Sequence, residues 1–314
     1  MATIEAACPA PTGQPKEFPS SQSTADNPAC SCGGIGGRRV AREWTLGRLS
    51  RTYSEWEWCP CEVGQSLKAE VDRIEAVRKA EEQDAKEAEE RRERRGIFER
   101  AFQRAGIPAR FVGCSLSSYP VSAATAPLLK RLRCPLPPHA ASEDDPAWDA
   151  YGDAYQLWKG SWFFHGLYGR GKTGLVVSYA REWLRDLCDT ETPEYLRSCR
   201  LLIFASVPDL LSELRDTYRS NASERDVIRR YTGALLLLLD DLGAEHVKDA
   251  GWLEDRLYQI IGTRHAEERP TLFTSNLNLE QLAGKIGERV TWRIVEMCGA
   301  DHIVKVDGPN LRDR

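Results

Sequence analysis

No charged, apolar leader opens this sequence, and no uninterrupted apolar run approaches the ~20 residues that span a bilayer. A secretory leader and a membrane helix are therefore not expected, and the chain reads as cytoplasmic. It also lacks an excess of positive charge: 43 Lys and Arg stand against 47 Asp and Glu, a formal net charge of -4. That total does not point to nucleic-acid binding, although opposite charges are blocked along the chain and a local basic face fits it. Cysteine is not scarce, with ten in the chain. In a reducing compartment, clustered thiols point to metal before disulfide. The 314 residues, 41% of them apolar, suffice for one large or two modest folded domains with a sizeable core.

What is present centres on residues 162–175, WFFHGLYGRGKTGL, an apolar run, a glycine-rich turn and the start of a helical pattern. Gly166, Gly171, Lys172 and Thr173 stand in the register G-x-x-x-x-G-K-[ST]. Phosphate oxygens need backbone N–H groups aimed inward at close range, and glycines at 166, 169 and 171 let the backbone approach without a Cβ clash. A helix starting near Lys172 adds its positive N-terminal end. Lys172 then offers a point charge to β- and γ-phosphates, and the Thr173 hydroxyl is placed to hold Mg²⁺. An ordinary glycine-rich turn is the competing reading. The strand pattern before the turn and the helix pattern after it, through Leu187, decide against that reading.

Two further stretches complete a site. In GALLLLLDDLGAE, residues 233–245, five consecutive leucines suit a central parallel strand buried on both faces. Asp240 and Asp241 follow at its carboxyl end, where ligands bind in open α/β sheets. Asp240 is expected to hold Mg²⁺ through water, and Asp241 to orient or deprotonate the attacking water. A strand in PTLFTS, 270–275, ends at Asn276, whose amide is placed to bond a γ-phosphate or the lytic water. Other strands are expected over 200–205 and 302–306, the last before GPNLR, and helices from 207 and over 252–265. Arg289 and Arg293 lie four apart on one helix face. Arginine suits charge that forms only in a phosphoryl-transfer transition state, and equally a surface salt bridge, so spacing alone leaves both open.

Upstream, residues 1–27 carry too little apolar patterning to order themselves. Cys30, Cys32, Cys59 and Cys61 form two close pairs around a strand-rich stretch, with glycines at 33, 34, 36 and 37. Four thiolates in that arrangement suit one tetrahedral, structural Zn²⁺, although the pairs are C-x-C rather than C-x-x-C. The cysteines at 8, 114, 134, 188, 199 and 298 are scattered and read as small apolar residues or surface thiols. A proline-free, increasingly charged stretch over 66–104 reads as a solvated helical connector held by i,i+4 pairs, ending at Gly96 or Gly106. The alternative is that Arg91, Arg92, Arg94 and Arg95 contact phosphates. Residues 134–146 form a proline-rich loop, with a short helix over 146–158.

GLYGRGKT, LLLLLDDLGAE, LEDRLYQIIGTRH, PTLFTSNLNLEQL and GERVTWRI, in that order and spacing, resemble the DnaC/IstB group of AAA+ ATPases, DnaC-like helicase loaders especially. The resemblance covers residues 105–312 well and 28–65 loosely. It implies an α/β, three-layer AAA+ P-loop ATPase domain over 105–314 without a C-terminal lid, since 38 residues follow Asn276. That domain would stand behind a zinc-bearing module (28–65) and a helical linker (66–104). Lys172 and Thr173 would be Walker A residues, Asp240 and Asp241 the Walker B pair, Asn276 sensor 1, and Arg293, or less well Arg289, a finger acting on a neighbouring subunit. The implied cofactors are ATP, Mg²⁺ and Zn²⁺. The implied partners are a DnaB-like replicative helicase, single-stranded DNA and further copies of the chain. The Asp-Asp pair departs from the Asp-Glu of many AAA+ proteins, which implies slow turnover. An IstB-like transposition helper acting on duplex DNA, a nucleotide-gated adaptor bridging two proteins, and a small-molecule kinase are the rival readings.

Overall fold

The computed structural model describes residues 35–46, 49–123, 125–133, 135, 155–156, 158–220, 222–244, 250–307 and 310–311. The tail expected over 1–27, the Cys30 and Cys32 pair, nearly all of the proline-rich loop and most of the helix expected over 146–158 lie outside them. Two compact units are present, Met1–Ala88 and Glu89–Arg314.

In the first unit, β1 (Gly37–Leu46) pairs antiparallel with β2 (Leu49–Trp58), Gly37 opposite Trp58 and Leu46 opposite Leu49. The hairpin is held on its exposed side by Arg38–Glu57 at 3.1 Å and Arg42–Glu55 at 2.9 Å. Exposed cross-strand pairs of this kind contribute roughly 0.2–1 kcal/mol each. At its foot the Cys59 N–H donates to the Gly36 carbonyl at 2.8 Å. A Cβ on Gly64 would strike the carbonyl oxygens of Cys59 and Gly36, so the turn after β2 closes only over glycine.

The expected connector is one helix, α1 (Glu62–Arg104), starting four residues earlier than its periodicity indicates. Glu62 in its first turn complements the helix dipole. The helix passes through Gly96 and stops before Gly106, whose φ of 82° no L side chain adopts comfortably. Its side chains are exposed nearly throughout residues 68–92, Ile74 and Val77 included, and beyond Arg78 nearly all of them are charged or alanine, as a solvated helix requires. Its final turns belong instead to the second unit, where Ile97 and Phe102 are buried.

The second unit is a three-layer α/β domain, as the sequence implies. Five parallel strands, β3 (Trp162–His165), β4 (Leu202–Ser206), β5 (Leu236–Leu242), β6 (Thr271–Ser275) and β7 (Ile303–Lys305), lie in the order β4-β5-β6-β3-β7. The strands expected over 200–205 and 302–306 are therefore present, each shifted or trimmed by one or two residues. The leucine run of β5 divides between two cores: Leu236 and Leu238 face one layer, Leu237 and Leu239 the other. That alternation is why the run tolerates no polar residue.

One core contains the end of α1, α2 (Ala109–Val112), α3 (Ala126–Leu132), α4 (Lys172–Thr190) and α5 (Pro193–Ser198). The other contains α6 (Val207–Thr217), α7 (Glu224–Thr232), α8 (Ala250–Ala266), α9 (Leu279–Ile286) and α10 (Glu288–Cys298). Ser206 caps α6 by accepting from the Asp209 N–H, and Asn278 with Gln281 forms a capping box on α9. Both caps stand at the carboxyl ends of strands, where they turn the chain away from the site.

Opposite the site, Arg264 on α8 is fully buried. Its guanidinium donates to the carbonyls of Tyr231, Thr232, Ala234, Leu235 and Pro270 and to the Thr271 hydroxyl. It thereby ties the end of α7 to the first residues of β5 and β6. Burial, the largest cause, pulls its pKa down to about 9.

Candidate nucleotide site

The turn after β3 is shaped by three glycines at positive φ: 143° at Gly166, 77° at Gly169 and 79° at Gly171. Each also lies under another part of the chain. A Cβ on Gly166 would sit 2.6 Å from the Val306 carbonyl oxygen, one on Gly169 would strike Asn310, and one on Gly171 would sit 2.6 Å from Leu311. Gly171 is the N-cap of α4, so the turn delivers its N–H groups to the positive end of that helix.

Lys172 is 6% exposed, and its ammonium donates to the Gly166 carbonyl at 2.8 Å, the Leu167 carbonyl at 3.0 Å and Asn276 Oδ1 at 2.7 Å. A buried ammonium needs such acceptors. Asn276 in turn donates through Nδ2 to Asp241 Oδ1 at 3.3 Å. One amide therefore connects the phosphate-loop lysine to the second strand-tip carboxylate. It does so because β6 lies between β3 and β5 in the sheet.

Thr173 Oγ1 donates to Asp240 at 2.9 and 3.1 Å, and Thr274 Oγ1 donates to the same carboxylate at 2.7 Å. Burial, foremost, raises the Asp240 pKa; the Thr274 bond opposes this and the Asp241 charge adds to it. A desolvated carboxylate touching a threonine hydroxyl is a hard-oxygen pair suited to Mg²⁺, with the loop beside it for the phosphates. The Thr274 hydroxyl also accepts from the Asp241 N–H at 2.9 Å, and Asp241 itself has φ of 57°.

The left-handed Asp241 accounts for a break in the ladder. Leu239 pairs with Phe273, but the next pair is Leu242 with Ser275, so Asp240 and Asp241 form a bulge. Bulges of this kind re-aim side chains at sheet ends. A non-glycine residue held at positive φ costs of order 1 kcal/mol or more, and such strain gathers at functional sites.

A cavity of about 530 Å³ joins these groups. Lys172, Thr173, Asp241 and Asn276 line it on one side, and Phe111, Cys114 and Tyr119 on the other. The Tyr119 hydroxyl donates to the Arg170 carbonyl at 2.9 Å, and burial pushes its pKa up to about 12. Leu311 also lines the cavity, and its N–H donates to the Gly169 carbonyl at 2.8 Å. Thr274, Tyr119 and Leu311 belong to this site although the sequence pattern does not single them out. A hydroxyl two residues before Asn276 is the one local signal for any of them.

Arg289 and Arg293 do not line this cavity. Both lie on α10 beside Tyr258 of α8: Arg289 stacks over its ring at 4.3 Å, and Arg293 reaches its hydroxyl and pairs with Glu296 at 2.6 Å. The hydrogen bonds from Arg293 and then Arg289 lower the Tyr258 pKa. Of the four expected zinc ligands, Cys59 and Cys61 are described and partly buried, and the Gly64 N–H donates to Cys61 Sγ at 3.4 Å. Among the described residues no group of three or more His, Cys, Asp or Glu is placed to hold a metal ion. No helix among them is long and apolar enough to cross a membrane.

Sheet order, glycine turn and paired strand-tip aspartates define a P-loop protein of the AAA+ type. Within that class the chain resembles DnaC. It is similar to the replicative helicase loader DnaC of Escherichia coli (strain K12), with 27% identity over 206 residues, 65% of this chain and 72% of that protein. A crystal structure of DnaI matches 66% of this chain and 95% of its own at 24% identity and a TM-score of 0.47. One of the DnaC helicase loader matches 64% and 100% at 20% identity and a TM-score of 0.46. No family model matches.

Proposed function

We propose that this protein loads a replicative, DnaB-like hexameric helicase onto single-stranded DNA and uses ATP hydrolysis as a release switch. The observation that carries the reading is the similarity to DnaC over 206 residues, which accompanies a nucleotide site assembled from Lys172, Thr173, Asp240, Asp241 and Asn276.

In this reading Lys172 exchanges its carbonyl partners for phosphate oxygens, and the N–H groups at the start of α4 complete the cradle. Thr173 and, through water, Asp240 would hold Mg²⁺, which would supply charge neutralisation to the phosphates. Asp241 accepts a hydrogen bond from the attacking water and Asn276 fixes the carboxylate that does so. Arg293 completes the site of a neighbouring copy, with Arg289 as the second candidate. The paired aspartates make turnover slow, since the second carboxylate is one methylene shorter than glutamate.

The N-terminal module, 28–65, grips the helicase, and Cys30, Cys32, Cys59 and Cys61 hold one structural Zn²⁺. The Gly64 N–H on Cys61 Sγ supports that assignment, because a thiolate ligand is stabilised by such a donor. The test is light scattering on the purified protein mixed with its cognate helicase, with and without ATP·Mg²⁺, alongside metal analysis. A stable complex with about one zinc per chain is expected. No complex, together with ATP-dependent filaments on duplex DNA, would move the protein to the transposition-helper reading.

A further inference from the structure

The arginines of α1 do not share one fate. Arg94 donates to the carbonyls of Cys188, Asp189 and Glu191 at 2.7–2.8 Å, closing the end of α4. Arg95 pairs with Glu99 at 3.0 Å, and Glu93 is taken by Arg197 of α5. Arg100 and Arg104, one turn apart, and Arg200 before β4 are exposed and make no ion pair or side-chain hydrogen bond among the described residues.

These three, with Arg197, line a cleft of about 540 Å³ that has no acidic side chain in its wall among the described residues. Ile97, Leu196 and Leu201 give it an apolar floor. It opens at the amino end of β4, whereas the phosphate loop, Asp240 and Asn276 stand at the carboxyl ends of their strands. A neighbouring cleft of about 520 Å³, also walled by α1, is lined by Arg91, Arg95, Arg181 and Arg185 with two acids. From Arg91 to Arg104 the helix rises about 20 Å. Arg100, Arg104 and Arg200 bring three guanidinium groups to one cleft, which matches a chain of repeated anions rather than one phosphate, and the planar fork suits phosphate oxygens.

We propose that this cleft binds the phosphodiester backbone of a nucleic-acid strand, with Arg100, Arg104 and Arg200 holding its phosphates. The proposal rests on the loader reading in expecting a nucleic-acid partner, and it names a surface away from the nucleotide.

The test is fluorescence anisotropy of a labelled oligothymidylate with the full chain in ATP·Mg²⁺, across a salt series, for the unaltered protein, the triple variant R100E/R104E/R200E and the triple lysine variant. The glutamate variant should bind at least ~10-fold more weakly. Its salt slope should be shallower by about 2, at roughly 0.7 for each phosphate no longer neutralised on a single strand. The lysine variant should keep most of the affinity, and nucleotide binding should be unchanged in both. Equal affinity and slope in the glutamate variant would overturn the proposal and leave the loader reading standing. An unaltered chain that binds no nucleic acid sinks both. Competition by poly-glutamate as effective as by oligothymidylate also overturns it, assigning the cleft to an acidic protein segment.

Discussion

Asp240 is 7% exposed, and burial holds its pKa above the ordinary carboxylate range. The folded chain therefore binds that proton more tightly than the unfolded chain does. The stability this gives is full below the unfolded pKa near ~4 and is lost as pH rises through the folded value. At neutral pH a buried carboxylate remains for a cation to neutralise. Mg²⁺ with ATP should accordingly raise the melting temperature more at pH 7.5 than near the carboxylate range, measured by calorimetry at both. Thr274→Val removes the hydroxyl shared by Asp240 and the Asp241 N–H, and should cost about 1–3 kcal/mol. Denaturant melts would read it. Asp241→Asn should bind ATP normally and turn over at least ~10²-fold more slowly, read as phosphate release. Lys172, Thr173 and the aspartates are legible in the sequence because their spacing is local. Thr274 and Tyr119 are not, because each acquires its partner through strand order or a loop from 51 residues away.

Elements are legible where one pattern dominates. Five leucines mark β5, and a proline-free run with Leu67, Val71, Ile74 and Val77 at helical spacing marks α1. The bulge at Asp240 and Asp241 leaves no trace, because it depends on how β5 meets β6. Arg264 is hidden for a similar reason. Within GTRH it is one more helical residue, yet its partners come from α7, β5 and β6. Arg264→Met should destabilise the domain by about 3–5 kcal/mol, since several buried carbonyls lose their donor together. Equilibrium unfolding checks it, and a loss under ~1 kcal/mol would show that water replaces the guanidinium.

For the whole molecule, the position of Arg293 outside its own chain's cavity makes a mixing experiment decisive. Arg293→Ala and Lys172→Ala chains should each be inactive alone and recover part of the ATPase rate when mixed, if one supplies the finger and the other the loop. Subunit arrangement lies beyond the sequence, since the spacing of Arg289 and Arg293 fits a salt bridge as well as a finger. Within one chain, the amide of Leu311 is bonded to Gly169 in the phosphate loop. Its deuterium uptake is therefore a label-free clock on that turn, and nucleotide that tightens the loop should slow exchange in the peptide covering 306–311, far along the sequence from the glycines it reports on.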